Sequence, residues 1–376
     1  MFEEALAEGE HLSAAREATI DRPRAKVGIL TFHRCINYGS YWQARRLVEG
    51  LRERGLDAVL LDHGSRRVDR AEWRCALQPL LTAPTPRSRF PVYARKARRF
   101  FEALAGLPLS APFSLETPEG MEPCDVVVVG SDEVWNLRHP WYAGYPAFFG
   151  DGLRAGRVVS YAASFGNYDA DAGLPPEWSE RLRGFAAISV RDENSRDLVA
   201  RAGQDEPPVV LDPCLQFGVP KGSGYNGDHP AYAAVYGHSF PDAFVREVRS
   251  WAASRGVRLV SIGYENAWAD EQQLDVGPDA FAGLMADAEA VVTNYFHGCV
   301  FALANEKPFV CAVSPYRSNK VRALAAQVGA EGHLIADGAG RGACRARLDE
   351  PLDPDISRRI GELRRQSASY LDAVFH

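Results

Sequence analysis

His297 occupies a position where an imidazole could do chemistry. Ala290-Val291-Val292-Thr293 is an apolar run too short for a helix, and Val300, Phe301, Leu303 and Ala304 recur at helical spacing just past Gly298. The expected order is strand, tight turn, helix. That order puts His297 at a helix N-terminus, where free N–H groups and the helix dipole favour an anion. A titratable ring beside an anion site suits proton transfer, and the competing reading is a histidine that caps the helix or packs in the core. Two other strand ends carry charge in the same way. Asp132 follows the buried run Asp125–Val129, where its carboxylate would orient a hydroxyl or cap the next helix. Arg191 follows Ala187-Ile188-Ser189-Val190, with a guanidinium suited to bidentate contact with a carboxylate or phosphate, or else to a local ion pair with Asp192 or Glu193.

Such residues act together only if the elements carrying them converge. In an open α/β sheet, turns at the carboxyl ends of strands line the ligand crevice. The chain reads as α/β, with two Rossmann-like domains facing a central cleft. Residues 1–23 read as a tail or surface helix, and 24–218 as the first domain. That domain opens with a strand at Lys26–Phe32, a helix from about Ser40 to Arg54 and a strand at Ala58–Leu61. Trp42, Leu47, Val48 and Leu51 fall along one side of that helix, with Arg45, Arg46, Glu49 and Arg52 available for solvent. The turn before it, with Asn37 and Gly39, is not the glycine fingerprint of a dinucleotide site and also suits plain turn chemistry. Residues 64–120, rich in proline and arginine, read as an insertion covering one side of the cleft. Its segment Arg95–Phe101 is expected to be an amphipathic helix with a solvated basic face, or an anion- or membrane-binding one. A glycine-rich linker at 219–228, a second domain at 229–350 and a C-terminal helix at 351–376 complete the chain.

Composition narrows the function classes. The chain has 376 residues, 46% apolar and 24% charged, as expected of globular domains with substantial cores. A formal net charge of -6 gives no reason to expect nucleic acid. No apolar run approaches the roughly 20 residues that cross a bilayer, so stable membrane insertion is not expected. The acidic start is unlike a secretion signal, so the cytoplasm is the expected compartment. The seven cysteines are scattered without a C-x-x-C pair, which indicates neither a zinc site nor a disulfide framework. Cys35 and Cys299, beside the candidate loops, are the thiols to test for reactivity.

Several segments together resemble the polysaccharide pyruvyl transferase family over about residues 26 to 335. They are Gly28-Ile29-Leu30-Thr31-Phe32 with Asn37-Tyr38-Gly39 and Gln43; Gly130-Ser131-Asp132-x-Val134-Trp135-Asn136; and Ser160-Tyr161-Ala162-Ala163-Ser164-Phe165-Gly166. Further along come Ser189-Val190-Arg191-Asp192-Glu193-x-Ser195, Leu211-Asp212-Pro213, and Val292-Thr293-Asn294-x-Phe296-His297-Gly298 with Lys307-Pro308-Phe309. The resemblance implies a fold similar to type B glycosyltransferases. It also implies transfer of a pyruvyl group from phosphoenolpyruvate to a sugar as a cyclic ketal, with no cofactor or metal required. By motif position His297 is the implied proton-transfer group and Arg191 the donor clamp; Asp132, at its strand's carboxyl end, is the third candidate catalytic residue.

Substrate contacts are expected for Asn37, Tyr38, Gly39, Gly130, Ser131, Trp135, Asn136, Ser164, Ser195, Asn294, Tyr295, Phe296, Gly298 and Arg317. Tyr295 stands where related enzymes often carry an arginine, and Arg317, Lys320 or His33 would then supply that charge. The expected partners are a small-molecule donor and a sugar or natural-product acceptor, and a homodimer is compatible with the sequence. Two other readings remain open: a glycosyltransferase-like or other group transferase acting on a small natural product, and a binding protein whose catalytic set has decayed.

Overall fold

The structure, a computed structural model, describes residues 25–79, 84–221, 231–313, 318–338, 340 and 342–375. The tail at 1–23, most of the linker at 219–228 and Arg317 lie outside the described residues. Two all-parallel sheets dominate. The first is built from β1 (Lys26–Leu30), β2 (Asp57–Leu60), β5 (Cys124–Val129) and β6 (Ala155–Ser160), in the order β2-β1-β5-β6. A separate two-residue pair, β3 (His63–Gly64) with β4 (Phe113–Ser114), brackets the insertion. The second sheet contains β7 (Tyr232–Tyr236), β8 (Arg258–Ile262), β9 (Glu271–Gln273), β10 (Ala290–Thr293), β11 (Phe309–Ala312) and β12 (Leu334–Ile335), in the order β12-β11-β10-β7-β8-β9. Parallel strands must be covered on both faces, which is why Val126–Val129 and Ala290–Val292 are buried without alternation.

The run expected as a strand at 187–190, like the apolar run at 209–211, contributes only single bridges, Val159 to Ala187, Ala163 to Val190 and Val190 to Val209. Hydroxyls take over part of the ladder there. Ser160 Oγ donates to the Ser189 carbonyl and accepts from the Ser189 amide. The edge strands β9 and β12 are too short, and β9 too polar, to stand out in the sequence.

The helix Tyr38–Glu53 ties the domains together. Ala44, Leu47, Val48 and Leu51 pack beneath β1 and β2, whereas Tyr38, Tyr41 and Trp42 join the core of the second domain. Tyr38 stacks on Phe281 at 4.1 Å between ring centroids, and Trp42 Nε1 donates to the Pro278 carbonyl at 3.0 Å. Trp42 thus belongs to a different face from Leu47, contrary to the single stripe expected. Arg45 and Arg46 are not simply solvated either, for Arg45 pairs with Asp279 and Arg46 donates to the Phe217 and Gly218 carbonyls. The helix Pro354–Phe375 runs back across the domain boundary. Ile356 and Ile360 sit in the second domain's core, and Leu371 and Val374 in the first domain's. No helix among the described residues is long and apolar enough to cross a membrane.

Leu371 is 1% exposed. Leu371→Ala is expected to destabilise by about 2–5 kcal/mol, as buried Leu-to-Ala changes do, read as a lowered urea midpoint. A change below about 1 kcal/mol would mean that this helix does not complete the first domain's core.

Candidate active site

Strand order locates the site before any side chain is considered. The first sheet reverses direction between β1 and β5, the second between β7 and β10. Loops at such switch points diverge and leave a crevice at the strands' carboxyl ends. Here the two crevices open onto each other. A cavity of about 370 Å³ lies between them, walled by Phe32, Asn37, Asp132, Glu133 and Asn136 from one domain and by Tyr236, His238, Tyr295, Phe296 and His297 from the other. The insertion closes one side through Glu72 and Lys96.

His297 is the second residue of the helix Phe296–Ala304 and stands against the first turn of the helix Tyr38–Glu53. A Cβ at Gly39 would lie 2.0 Å from His297 Nδ1, so only glycine lets the ring approach. Asn37 secures that turn by accepting from the Gly39 and Ser40 amides at 2.8 and 3.2 Å. Two helix N-termini therefore converge on one imidazole. His297 Nε2 lies 3.4 Å from Asp212 Oδ2, at ion-pair range but off the alignment of a hydrogen bond.

Asp212 is the hub of the charged cluster. It caps the short helix Pro213–Gln216 through the Cys214 amide, and its Oδ2 also meets Arg191 Nη1 at 3.2 Å. Burial alone would raise its carboxyl, but His297 and Arg191 hold it down to about 2. Arg191 is 5% exposed, covers the Phe296 ring at 4.4 Å and approaches Asp132 at 3.7 Å. Its guanidinium therefore pairs with residues distant in sequence. Asp192 is taken up in capping the helix Glu193–Arg201 and Glu193 in pairing with Arg196. Asp132, at φ 78, caps no helix: Oδ2 accepts from Ser40 Oγ at 2.8 Å and Oδ1 from the Glu133 amide.

The sequence-predicted residues divide into two groups. Asn37, Asp132, Asn136, Tyr295, Phe296 and His297 line the cavity, with Arg191 directly behind Phe296. The others support that wall from beneath. Trp135 is fully buried and donates to the Phe148 carbonyl, and Ser131 donates to Gln43. Ser164 donates to Asp192, and Ser195 Oγ accepts from the Phe165 amide. Asn294 donates to the His238 carbonyl, Tyr38 to the Val276 carbonyl, and Gly298 leaves room for Thr293. Gly130, at φ 112, packs on the Tyr161 carbonyl. Polar residues at strand ends need partners once buried, and here the partners are the neighbouring turns. Cys35 and Cys299 are poor candidates for reactivity, since burial pushes the Cys35 thiol up and a hydrogen bond with Cys311, with burial behind it, raises that of Cys299.

In the sequence Asp212 stands out only within the family segment Leu211-Asp212-Pro213 and Lys96 only within the basic segment Arg95–Phe101, and nothing marks Glu72, His238 or Tyr264. Asp212 carried the same signal as Asp132, a carboxylate ending a strand. Glu72 and Lys96 come from the insertion, whose docking is not a local property.

The sequence matches the family model for polysaccharide pyruvyl transferase over residues 37–314. The chain belongs to the polysaccharide pyruvyl transferase family. This transferase is also similar in shape to two solved structures. UDP-GlcNAc 2-epimerase from Neisseria meningitidis bound to UDP-GlcNAc is 12% identical, with a TM-score of 0.49 and coverage of 93% of this chain and 99% of that one. The glycosyltransferase SnogD from Streptomyces nogalater is 13% identical, with a TM-score of 0.42 and coverage of 93% and 99%. No curated protein matches the chain.

Asp212→Asn leaves Arg191 buried with less neutralisation, a change expected to cost this transferase about 3–5 kcal/mol at pH 7. The folded-state value of about 2 lies below the ordinary one. The carboxylate's contribution is therefore full above about pH 4 and fades as pH falls toward 2. The gap between the two proteins in denaturant titrations should narrow over that window, and a gap constant with pH would overturn the assignment.

Proposed function

We propose that this transferase moves a pyruvyl group from phosphoenolpyruvate to a sugar or glycan precursor, forming a cyclic ketal and releasing phosphate. The observation that carries this reading is the Asp212 carboxylate shared by His297 and Arg191 at the meeting of the two switch points. A proton-transfer group and a cation are what the reaction requires.

In this reading His297 delivers a proton to the donor's methylene carbon, leaving the adjacent carbon electron-poor. One sugar hydroxyl bonds to that carbon and gives up its proton, restoring the one the methylene took. A second hydroxyl closes the ring as the C–O bond to phosphate breaks, and its proton leaves with the phosphate. Asp212 faces the imidazole and fixes its orientation; such contacts commonly tighten when substrate binds. Arg191 meets the donor by exchanging its 3.7 Å contact with Asp132 for the donor's carboxylate. Asp132 then orients an acceptor hydroxyl. The flat walls formed by Trp141, Tyr264 and Tyr295 suit the apolar face of a sugar ring.

Phosphorus NMR on the purified protein with phosphoenolpyruvate and a panel of sugar acceptors is the direct test. Inorganic phosphate is expected only when an acceptor with two neighbouring hydroxyls is present. His297→Ala is expected to lower turnover about 100-fold or more. Undiminished turnover in that variant would remove His297 from the mechanism. Release of nucleoside diphosphate from a nucleotide sugar, with phosphoenolpyruvate inert, would replace pyruvyl transfer by glycosyl transfer.

A further inference from the structure

Among the described residues, Lys96 is the lysine of the cleft without a carboxylate partner. Lys320 Nζ is 2.7 Å from Glu133, and Arg191 lies between Asp132 and Asp212. Lys96 belongs to no ion pair among the described residues, although it is 6% exposed and lines the cavity. Its Nζ donates to the Gly263 carbonyl at 3.0 Å and stands 4.8 Å from the ring centroids of both Tyr38 and Tyr264.

The surroundings are shaped around this ammonium. Gly263, at φ +73, ends the approach of the loop after β8, and a Cβ there would come within 3.2 Å of Lys96 Nζ and 2.6 Å of the Tyr38 ring. The two ring faces favour a cation, yet one carbonyl and two rings replace little of its hydration. Burial lowers the ammonium to about 7, with no charged neighbour to offset it. A lysine kept in an apolar stripe at this cost is explained if something anionic completes the site.

Resting on the pyruvyl-transfer reading for the ligand's chemistry, we infer that Lys96, backed by Tyr38 and Tyr264, is the anion-binding pole of the cleft and takes a carboxylate or phosphate group of the substrate. The anion belongs either to the donor or to a phosphorylated acceptor. In a low-dielectric wall a point charge discriminates strongly against neutral ligands.

The test compares wild type with Lys96→Met, which keeps the length of the side chain and removes its charge. Calorimetric titrations use phosphoenolpyruvate in one arm and a sugar 1-phosphate in the other. Lys96→Met is expected to fold with an unchanged or higher Tm, because an uncompensated buried charge is gone. It is expected to bind at least one probe about tenfold more weakly or worse, as loss of a charge-assisted hydrogen bond predicts. Loss confined to phosphoenolpyruvate assigns the pole to the donor, and loss confined to the sugar phosphate assigns it to the acceptor. Affinities within twofold of wild type for both probes overturn the proposal, as does a wild type that binds neither.

Should Lys96→Met fail to fold, the wild-type Lys96 Cε resonance is followed by carbon NMR during the same titrations. A shift on adding either anion supports the proposal, and an unmoved resonance overturns it. Binding is read without turnover, so the pole can stand even where phosphoenolpyruvate proves inert as a donor.

Discussion

Asp212 carries an interaction on which the rest of the site depends. A carboxylate 2% exposed would be driven toward its neutral form by burial alone. It stays charged because Arg191 of the first domain and His297 of the second both face it. The same carboxylate holds the two functional groups together across the domain boundary. Gly39 does the steric part. Without a Cβ the first turn of the helix Tyr38–Glu53 can lie against the imidazole, bringing a second helix N-terminus to the same point.

An arrangement this dependent on two domains needs an interface that does not slide. The apolar cluster that includes Tyr38, Trp42, Phe281 and Phe301 runs without a break from one domain to the other. The C-terminal helix adds a second tie, with Ile356 and Ile360 in the second domain's core and three hydrogen bonds to the first domain: Ser367 Oγ accepts from the Leu211 amide, Arg364 donates to the Leu215 carbonyl and Tyr370 donates to the Ser160 carbonyl. Two of those three contacts flank Asp212 in sequence. Large apolar interfaces resist the relative motion expected of loosely linked domains. A preorganised cluster then reaches its working geometry with little reorganisation, which is how fixed charges assist a reaction that develops charge.

The cleft mixes charges of both signs, and pairing decides which of them can act on a ligand. Glu133 is opposed by Lys320, which together with His139 outweighs burial and brings its carboxyl to about 2. Glu72 accepts from the Ile36 amide and from Trp141, but burial prevails and raises its carboxyl. Among the described residues, the wall thus offers an acidic group that resists ionisation at Glu72, neutralised pairs in the middle and an ammonium without a carboxylate at Lys96.

Local pattern was enough to read the parallel α/β class, the strand-turn-helix at His297, the carboxylate of Asp132 past the end of its strand, and the family motifs. Each of these depends on residues within a few positions of one another, through periodicity or turn chemistry. Even the signal for Lys96 was local, since Tyr93, Lys96, Ala97, Phe100 and Leu104 share one helical stripe and all five are buried. What that stripe faces was not legible. Only the tertiary structure decided that Arg191 pairs with Asp212 and Asp132 rather than with Asp192 or Glu193, and that Trp135, Ser164 and Ser195 brace the wall instead of lining it. The sequence by itself determined which residues are polar, charged or apolar at each strand end. Partnership was settled by folding, because the energy of a buried charge depends on what packs within a few ångströms of it, and those neighbours come from anywhere along the chain.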